Sequence, residues 1–404
     1  MKWETKPFSS LYEVDSRNGL TKPSRVRGLG YKMINMGELF SYDRIYDVSM
    51  ELVPVNDSEK RCKVEVGDLL FARQSLVLEG AGKCSIVMET SPLTVFESHI
   101  IRVRLDSSIA NPLFYYYYFK SEFSPIKTIV SQCAQAGIRG SDLQLLSVII
   151  PPKPVQDAIA DKISKYDDMI ENNQKQINLL EEAAQRLYKE WFIDLRFPGH
   201  ETTPIVNGIP DGWKRDRADS FFDITIGKTP PRAEKEWFVD GNQGVPWISI
   251  SDMGKSGAYI FETSEGLTNE AISRYNVKIV PKNTVLVSFK LTVGRVSITT
   301  CDMCSNEAIA HFRVDQNLRD YTYLYLKAFE YDNLGNTSSI SKAINSKIIK
   351  GMPFIMPDKS TLNSFNRLVN PILQEIHNKS LQIHNLTEAR DRLLPKLMSG
   401  EIEV

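Results

Sequence analysis

At 404 residues the chain is longer than one compact core usually allows, so two or three domains are expected. Hydrophobic content of 42% and charged content of 25% are those of an ordinary folded protein, and no run approaches the roughly 20 apolar residues of a membrane helix. A net charge of −1 argues against a generic polyanion binder, and five irregularly spaced cysteines do not form a disulfide framework. The opening Met1-Lys2-Trp3-Glu4-Thr5-Lys6 lacks the apolar core of a signal peptide, so a cytoplasmic location is expected.

Residues 1–150 read as a β-rich globular region with some helix. From Ser16 to Gly37 there is no acid but there are five cations: Arg17, Lys22, Arg25, Arg27 and Lys32. Such a window suits phosphate contact. Asp68–Ala72 and Ile100–Leu105 have strand character. Between them, Gly80-Ala81-Gly82-Lys83-Cys84 looks like the end of a phosphate loop, but it lacks the first Walker glycine and the Ser/Thr, and reads as a turn. The aromatic run Tyr115–Tyr118 lies in a helix-like setting, which favours core packing over base stacking.

A long helix follows in residues 151–200. Ile159, Ile163, Tyr166, Ile170, Asn173, Ile177, Leu180, Ala184, Leu187 and Trp191 step by alternating four and three, the spacing of a coiled-coil seam. Pro198 and Gly199 are expected to stop it. A second globular region, 201–356, opens on the turn chemistry of Ile209-Pro210-Asp211-Gly212. It carries another acid-free window, Ala271 to Cys301, with Arg274, Lys278, Lys282, Lys290 and Arg295, and a strand-like Thr284–Phe289. Cys301-Asp302-Met303-Cys304 has metal-like spacing but no second ligand pair, and is read as a chance occurrence.

The final helix, 357–404, repeats the first seam 206 residues later: Phe365, Val369, Ile372, Ile376, Lys379, Ile383, Leu386, Arg390, Leu393 and Leu397. Both copies interrupt their apolar run at the same step, Asn173 and Lys379, which are expected to set register or contact another protein. His377 and His384 read as exposed helix positions. The lead-ins also match, Val148–Lys153 with Phe354–Lys359, and His99–Asp106 matches Ala308–Asp315 at a shift of 209. Gly67-Asp68-Leu69-Leu70 corresponds to Asn283-Thr284-Val285-Leu286. At 1.5 Å per residue each helix spans roughly 55 Å, about one and a half turns of B-DNA. The expected fold is therefore α+β: two globular β-rich domains separated by two long antiparallel coiled-coil helices, in a pseudo-twofold internal repeat.

No Gly-x-Ser-x-Gly, His-Glu-x-x-His, Gly-x-Gly-x-x-Gly or Asn-Pro-Pro-aromatic motif occurs, so binding and scaffolding lead over catalysis. Four features in order carry a family resemblance. They are Leu187-Tyr188-Lys189-Glu190-Trp191-Phe192-Ile193-Asp194-Leu195-Arg196-Phe197-Pro198-Gly199, the C-terminal Leu393–Ile402, Gly227–Arg232 followed by Gly244–Met253, and the duplicated domain–helix order. The chain resembles, over essentially its whole length, the specificity subunit of a type I restriction–modification enzyme. The first domain carries a looser copy of the third feature: Gly19-Leu20-Thr21-Lys22-Pro23-Ser24, with Met33 at the tryptophan position.

The resemblance implies two target-recognition domains, each reading one half of a bipartite, asymmetric site in double-stranded DNA. It implies helices that set the gap and dock two modification (adenine methyltransferase) subunits carrying S-adenosylmethionine. Restriction subunits would add translocation and cleavage with ATP and Mg, and the chain itself would bind no cofactor or metal and perform no catalysis. Candidate DNA contacts in the first domain are Lys22, Arg25, Arg27, Lys32, Arg73, Gln74, Gln135 and Arg139, with Gly137 and Gly140 permitting close approach to phosphate. Those in the second are Lys228, Thr229, Arg232, Ser249, Ser251, Lys290, Thr292 and Arg295, with Lys290 expected on the loop equivalent to that of Arg73. Two other readings compete: a fused enzyme, for which two recognition units leave no room, and a coiled-coil adaptor without intrinsic DNA recognition, against which the paired basic windows speak.

Overall fold

A computed structural model describes residues 3–132, 136–334 and 344–403. The chain forms two compact units, residues 1–169 with 386–404, and residues 170–385. Each contains a mixed sheet region and parts of two long helices.

The first unit is organised around a five-stranded sheet in the order Tyr12–Asn18, Ile100–Leu105, Leu69–Ala72, Cys84–Val87, Arg44–Ile45. All ladders are antiparallel except the last. Leu69–Ala72 is apolar throughout because it lies mid-sheet with both faces covered. Leu69 and Phe71 join one core with the helix Pro112–Lys120, while Leu70 and Ala72 join another with Ile34 and Leu39. That helix starts where Asn111 accepts bonds from the Leu113 and Phe114 amides, with Pro112 at its first turn. Tyr115–Tyr118 are all buried in it, as core packing requires. Gly80–Lys83 forms the expected turn, with Gly82 at φ 76°.

The second unit has a five-stranded sheet in the order Asp223–Ile226, Ile309–Arg313, Val285–Ser288, Val296–Thr299, Tyr259–Ile260. Again only the last ladder is parallel. Gly67 (φ 91°) and Asn283 (φ 67°) each turn into the central strand in the left-handed region, which glycine and asparagine tolerate best. Gly19 and Gly227 also match: a Cβ there would lie 2.0 Å from the Phe96 carbonyl and 2.1 Å from that of Asn306. Met33 and Trp247 pair with Val95 and Cys304 on parallel neighbours, and both are buried. The looser first copy of the motif thus keeps its glycine and its buried apolar residue.

In each unit a short antiparallel ladder leads into a long helix: Glu4–Pro7 with Ser147–Ile150, and Lys214–Arg217 with Pro353–Met356. The first helix runs 36 residues, Lys153–Tyr188, and continues as a π turn, Lys189–Ile193. It ends before Pro198: Leu195 adopts φ 56°, and the Arg196 amide closes back on the Glu190 carbonyl at 2.8 Å. This local left-handed stop, rather than Pro198-Gly199, ends the helix. The second helix runs 41 residues, Lys359–Ser399, and Gly400 (φ 74°) follows it.

Within the first unit, Ile159 and Ile163 pack in one core with Leu394, Leu397 and Met398. Asp167 there accepts hydrogen bonds from Arg390 at 2.6 Å and Tyr117 at 2.8 Å. Within the second unit, Asn173 donates to Gln382 at 3.2 Å, and the Trp191 and Phe192 rings lie 5.7 and 4.8 Å from Phe365. Of the seam positions, Ile163, Asn173, Ile177, Val369 and Ile376 are buried. Ile170, Leu180, Leu187, Lys379, Ile383, Leu386 and Leu393 are half-buried. Lys379 pairs with Glu375 at 3.1 Å.

His377 and His384 are not simply exposed. His377 packs edge-on against Tyr259 at 4.9 Å, and His384 stacks on Phe261 at 5.8 Å. The seven-residue spacing puts both on the stripe that the edge strand covers. Among the described residues, no helix is long and apolar enough to cross a membrane.

Candidate nucleic-acid interface

The first basic window is acid-free in sequence but not in space. Lys22 donates to both Glu59 oxygens at 2.7 and 2.8 Å, Arg27 to Glu51 at 2.6 Å, and Lys32 to Asp47 at 2.7 Å. The Lys22 bond holds the Glu59 carboxyl below its usual range, and the Lys32 bond does the same for Asp47. All three acids come from outside the window, brought in by the strand Glu51–Val53 and the turns around it. Arg25 is exposed and, among the described residues, makes no ion pair.

A second group forms beside the sheet. Gln74-Ser75 pairs with Ala136-Gly137, which places Arg73, Gln74 and Arg139 on neighbouring backbone. Arg73 is half-buried, with Nη1 3.4 Å from the Ser98 carbonyl, and Arg139 is exposed. Gln135 lies outside the described residues. Gly137 faces the protein rather than a phosphate, since a Cβ there would stand 2.9 Å from the Arg73 carbonyl. Gly140 opens the short helix Gly140–Leu145 and faces Ser16.

In the second unit Lys228 donates to the Tyr275 carbonyl at 2.6 Å, and Thr229 donates to Glu307. Arg232 pairs with Glu265 at 2.8 Å and lies over the Phe238 and Trp247 rings, 4.1 and 4.5 Å from their centroids. Ser249 caps the helix Ile250–Ser256: it accepts from the Asp252 amide at 3.2 Å and donates to the Asp252 carboxylate at 2.6 Å. Arg295 donates to the Ile250 carbonyl and lies against Gly254, where a Cβ would meet Nη1 at 2.4 Å. The side chains of Ser249 and Arg295 are therefore engaged in holding this helix. Ser251, Lys290 and Thr292 are exposed.

The match between Arg73 and Lys290 is offset by one. The Arg73 amide bonds the His99 carbonyl at 2.8 Å, and the Phe289 amide bonds that of Ala308 at 2.9 Å. Phe289 thus stands at the place of Arg73, and Lys290 at the place of Gln74. From the loops that follow project two side chains missed in the sequence, Leu76, 89% exposed, and Leu291, 95% exposed. Leu291 is also left-handed, at φ 60°. In the sequence Leu291 stands alone between Lys290 and Thr292, whereas Leu76 opens the apolar run Leu76-Val77-Leu78.

These regions define a class: two sheets of one connection pattern, each followed by a loop that exposes a leucine, and each associated with long helices. The type I restriction modification DNA specificity domain family matches residues 2–182 and 210–386, and the chain belongs to that family. It is 25% identical to the MjaIX specificity subunit of Methanocaldococcus jannaschii, over all of this chain and 94% of that one. To the HindI specificity subunit of Haemophilus influenzae it is 26% identical, over 64% of this chain and 69% of that one. The crystal structure of a type I restriction–modification S subunit from M. genitalium shares the fold, with a TM-score of 0.59 and 16% identity over 98% and 96% of the two chains.

Proposed function

We propose that the chain is the sequence-reading, non-catalytic subunit of a type I restriction–modification complex in the cytoplasm. Residues 1–150 and 201–356 are the two target-recognition domains, and 151–200 and 357–404 the spacer helices. Each domain reads one half of a bipartite, asymmetric DNA site. The observation that carries this is the repeated loop. Arg73-Gln74 with Leu76, beside Arg139, and Lys290-Thr292 around Leu291 offer bidentate donors and an apolar contact for a thymine methyl. Arg25 and Ser251 join this set, whereas Lys22, Arg27, Lys32, Lys228, Thr229 and Arg232 keep protein partners and serve phosphate positioning.

The helices form an antiparallel coiled coil, supported by partners whose numbers fall on one helix as they rise on the other: Asn173 with Gln382, Trp191 with Phe365. This pair sets the gap between half-sites and, through a pseudo-twofold repeat of its outer faces, docks two modification subunits bearing S-adenosylmethionine. Restriction subunits supply translocation and cleavage with ATP and Mg. Adenine methylation mapped across the genome with and without the gene tests the reading. Two half-sites at a fixed gap are expected to lose methylation together, and unchanged methylation rejects it. The internal pairing of Lys22, Arg27 and Lys32 favours one rival, an adaptor with no DNA recognition. Salt-independent behaviour of the assembled complex toward duplex DNA would select that rival.

A further inference from the structure

Arg102 and Arg17 stand directly opposite each other on adjacent antiparallel strands. Strand alternation turns Ile101 and Val103 into the core around Pro112–Lys120, so Arg102 points to the other face, among Ile100, Leu70 and Cys62. It is only 4% exposed, and its Nε is buried without a partner, as is Nη1 of Arg17. Among the described residues the one hydrogen bond of Arg102 is a long one, 3.4 Å from Nη2 to the Asp15 carbonyl.

The buried carboxylate of Asp68 attracts Arg102 through space, but its hydrogen bonds are taken elsewhere. Asp68 accepts from Arg104 at 2.7 and 2.8 Å and from the Glu65 amide at 2.8 Å, and Glu65 also pairs with Arg104. Like charges opposite each other on a sheet repel, and a guanidinium does not escape by losing its proton. Burial, and then the charges of Arg104 and Arg17, pull the pKa of Arg102 down, against the attraction of Asp68.

The second unit shows the same place satisfied. Thr225 pairs with His311 in the equivalent register, and the His311 ring is bonded by Thr225 Oγ1 at 2.9 Å and Ser305 Oγ at 2.7 Å. Those three groups are neutral and close on themselves. In the first unit the corresponding residues are two arginines in facing register, each with one buried nitrogen left without a partner.

We infer that Arg17 and Arg102 form a partly buried binding site for a small oxyanion of the phosphate class. The forked N–H groups suit two oxygens of one tetrahedral anion, and its charge relieves the repulsion between the arginines. The anion comes from free solution or is a phosphate of bound DNA.

The test uses the full chain and inorganic phosphate, titrated at constant ionic strength in sodium gluconate while thermal unfolding is followed. A saturable rise of about 5 °C is expected at roughly 100-fold excess over Kd. The double variant Arg17→Thr with Arg102→His, which transplants the second unit's pair, is expected to show no saturable rise. Arg17→Gln, at a half-exposed position, is a second variant in which phosphate should bind at least about tenfold more weakly. In a second arm, non-specific duplex binding is measured against salt, and Arg17→Gln should lower the log–log slope by about one if DNA supplies the anion. Saturable phosphate stabilisation in the wild type alone assigns a free anion; a changed slope without it assigns a DNA phosphate. Equal phosphate effects in wild type and Arg17→Gln together with an unchanged slope overturn the site.

Discussion

The two five-stranded sheets share their strand order, yet the buried polar centre differs: Arg17 faces Arg102 in one, and Thr225 faces His311 in the other. Around these centres the apolar positions are kept. Leu69–Ala72 and Val285–Ser288 are both fully buried, and Gly67 and Asn283 both turn left-handed before them. The lesson is that topology is held by periodicity and turn chemistry, while the polar pair on the sheet changes from a satisfied neutral one to two arginines without changing the strand order.

Perturbing the repeat should separate what is shared from what is private to one copy. The largest expected effect is at Phe365, which is fully buried against Trp191, Phe192 and Tyr321. Phe365→Ala should cost about 3–5 kcal/mol in denaturant unfolding of the second unit, and Ile159→Ala at the equivalent step in the first somewhat less, about 2–4 kcal/mol. Equal losses would mean that the helices do not differ in how deeply they anchor.

Next comes pH. Burial, and then the charge of Arg313, pull the pKa of His311 down to about 3. The unfolded chain takes up the proton near pH 6.5 while the folded ring refuses it, so stability is full above that value and falls as the pH drops toward 3. The slope should approach roughly 1.4 kcal/mol per pH unit within that window. His311→Gln should flatten it in unfolding curves of the second unit; a slope that survives the substitution assigns the acid sensitivity elsewhere.

On the DNA side, Arg73→Ala and Leu291→Ala should each relax specificity at one half-site only, by about 1–3 kcal/mol for a lost bidentate contact and less for the leucine. Uniform weakening over all sequences would make Arg73 a phosphate contact. The smallest effect is at Gly67 (φ 91°): Gly67→Ala should cost about 1 kcal/mol and Gly67→Asn less, because asparagine already occupies the matching turn. If both cost the same, the resemblance between the turns is incidental.

Much of the architecture was legible because it is local or periodic. The strands Leu69–Ala72 and Ile100–Leu105, the long helices, and the match of Gly19 with Gly227 all stand out in runs and spacings. The candidate site was less legible. The acids that answer Lys22, Arg27 and Lys32 lie far along the chain, so a charge count within a window misjudged what stays positive. The engagement of Ser249 and Arg295 with one short helix, and the exposure of Leu76 and Leu291, depend on how loops fold back. The stop at Leu195 was hidden because leucine rarely takes the left-handed conformation that glycine advertises.

The bond between Asn173 and Gln382 has one more consequence. Two apolar stripes of matching period are nearly degenerate under a slide of one heptad, and leucine against isoleucine would not resist it strongly. An amide that finds its acceptor at one setting only acts as a detent, because any slide strands a buried polar group. Under the proposed function, helices that set the gap between half-sites would need such a catch more than additional grip.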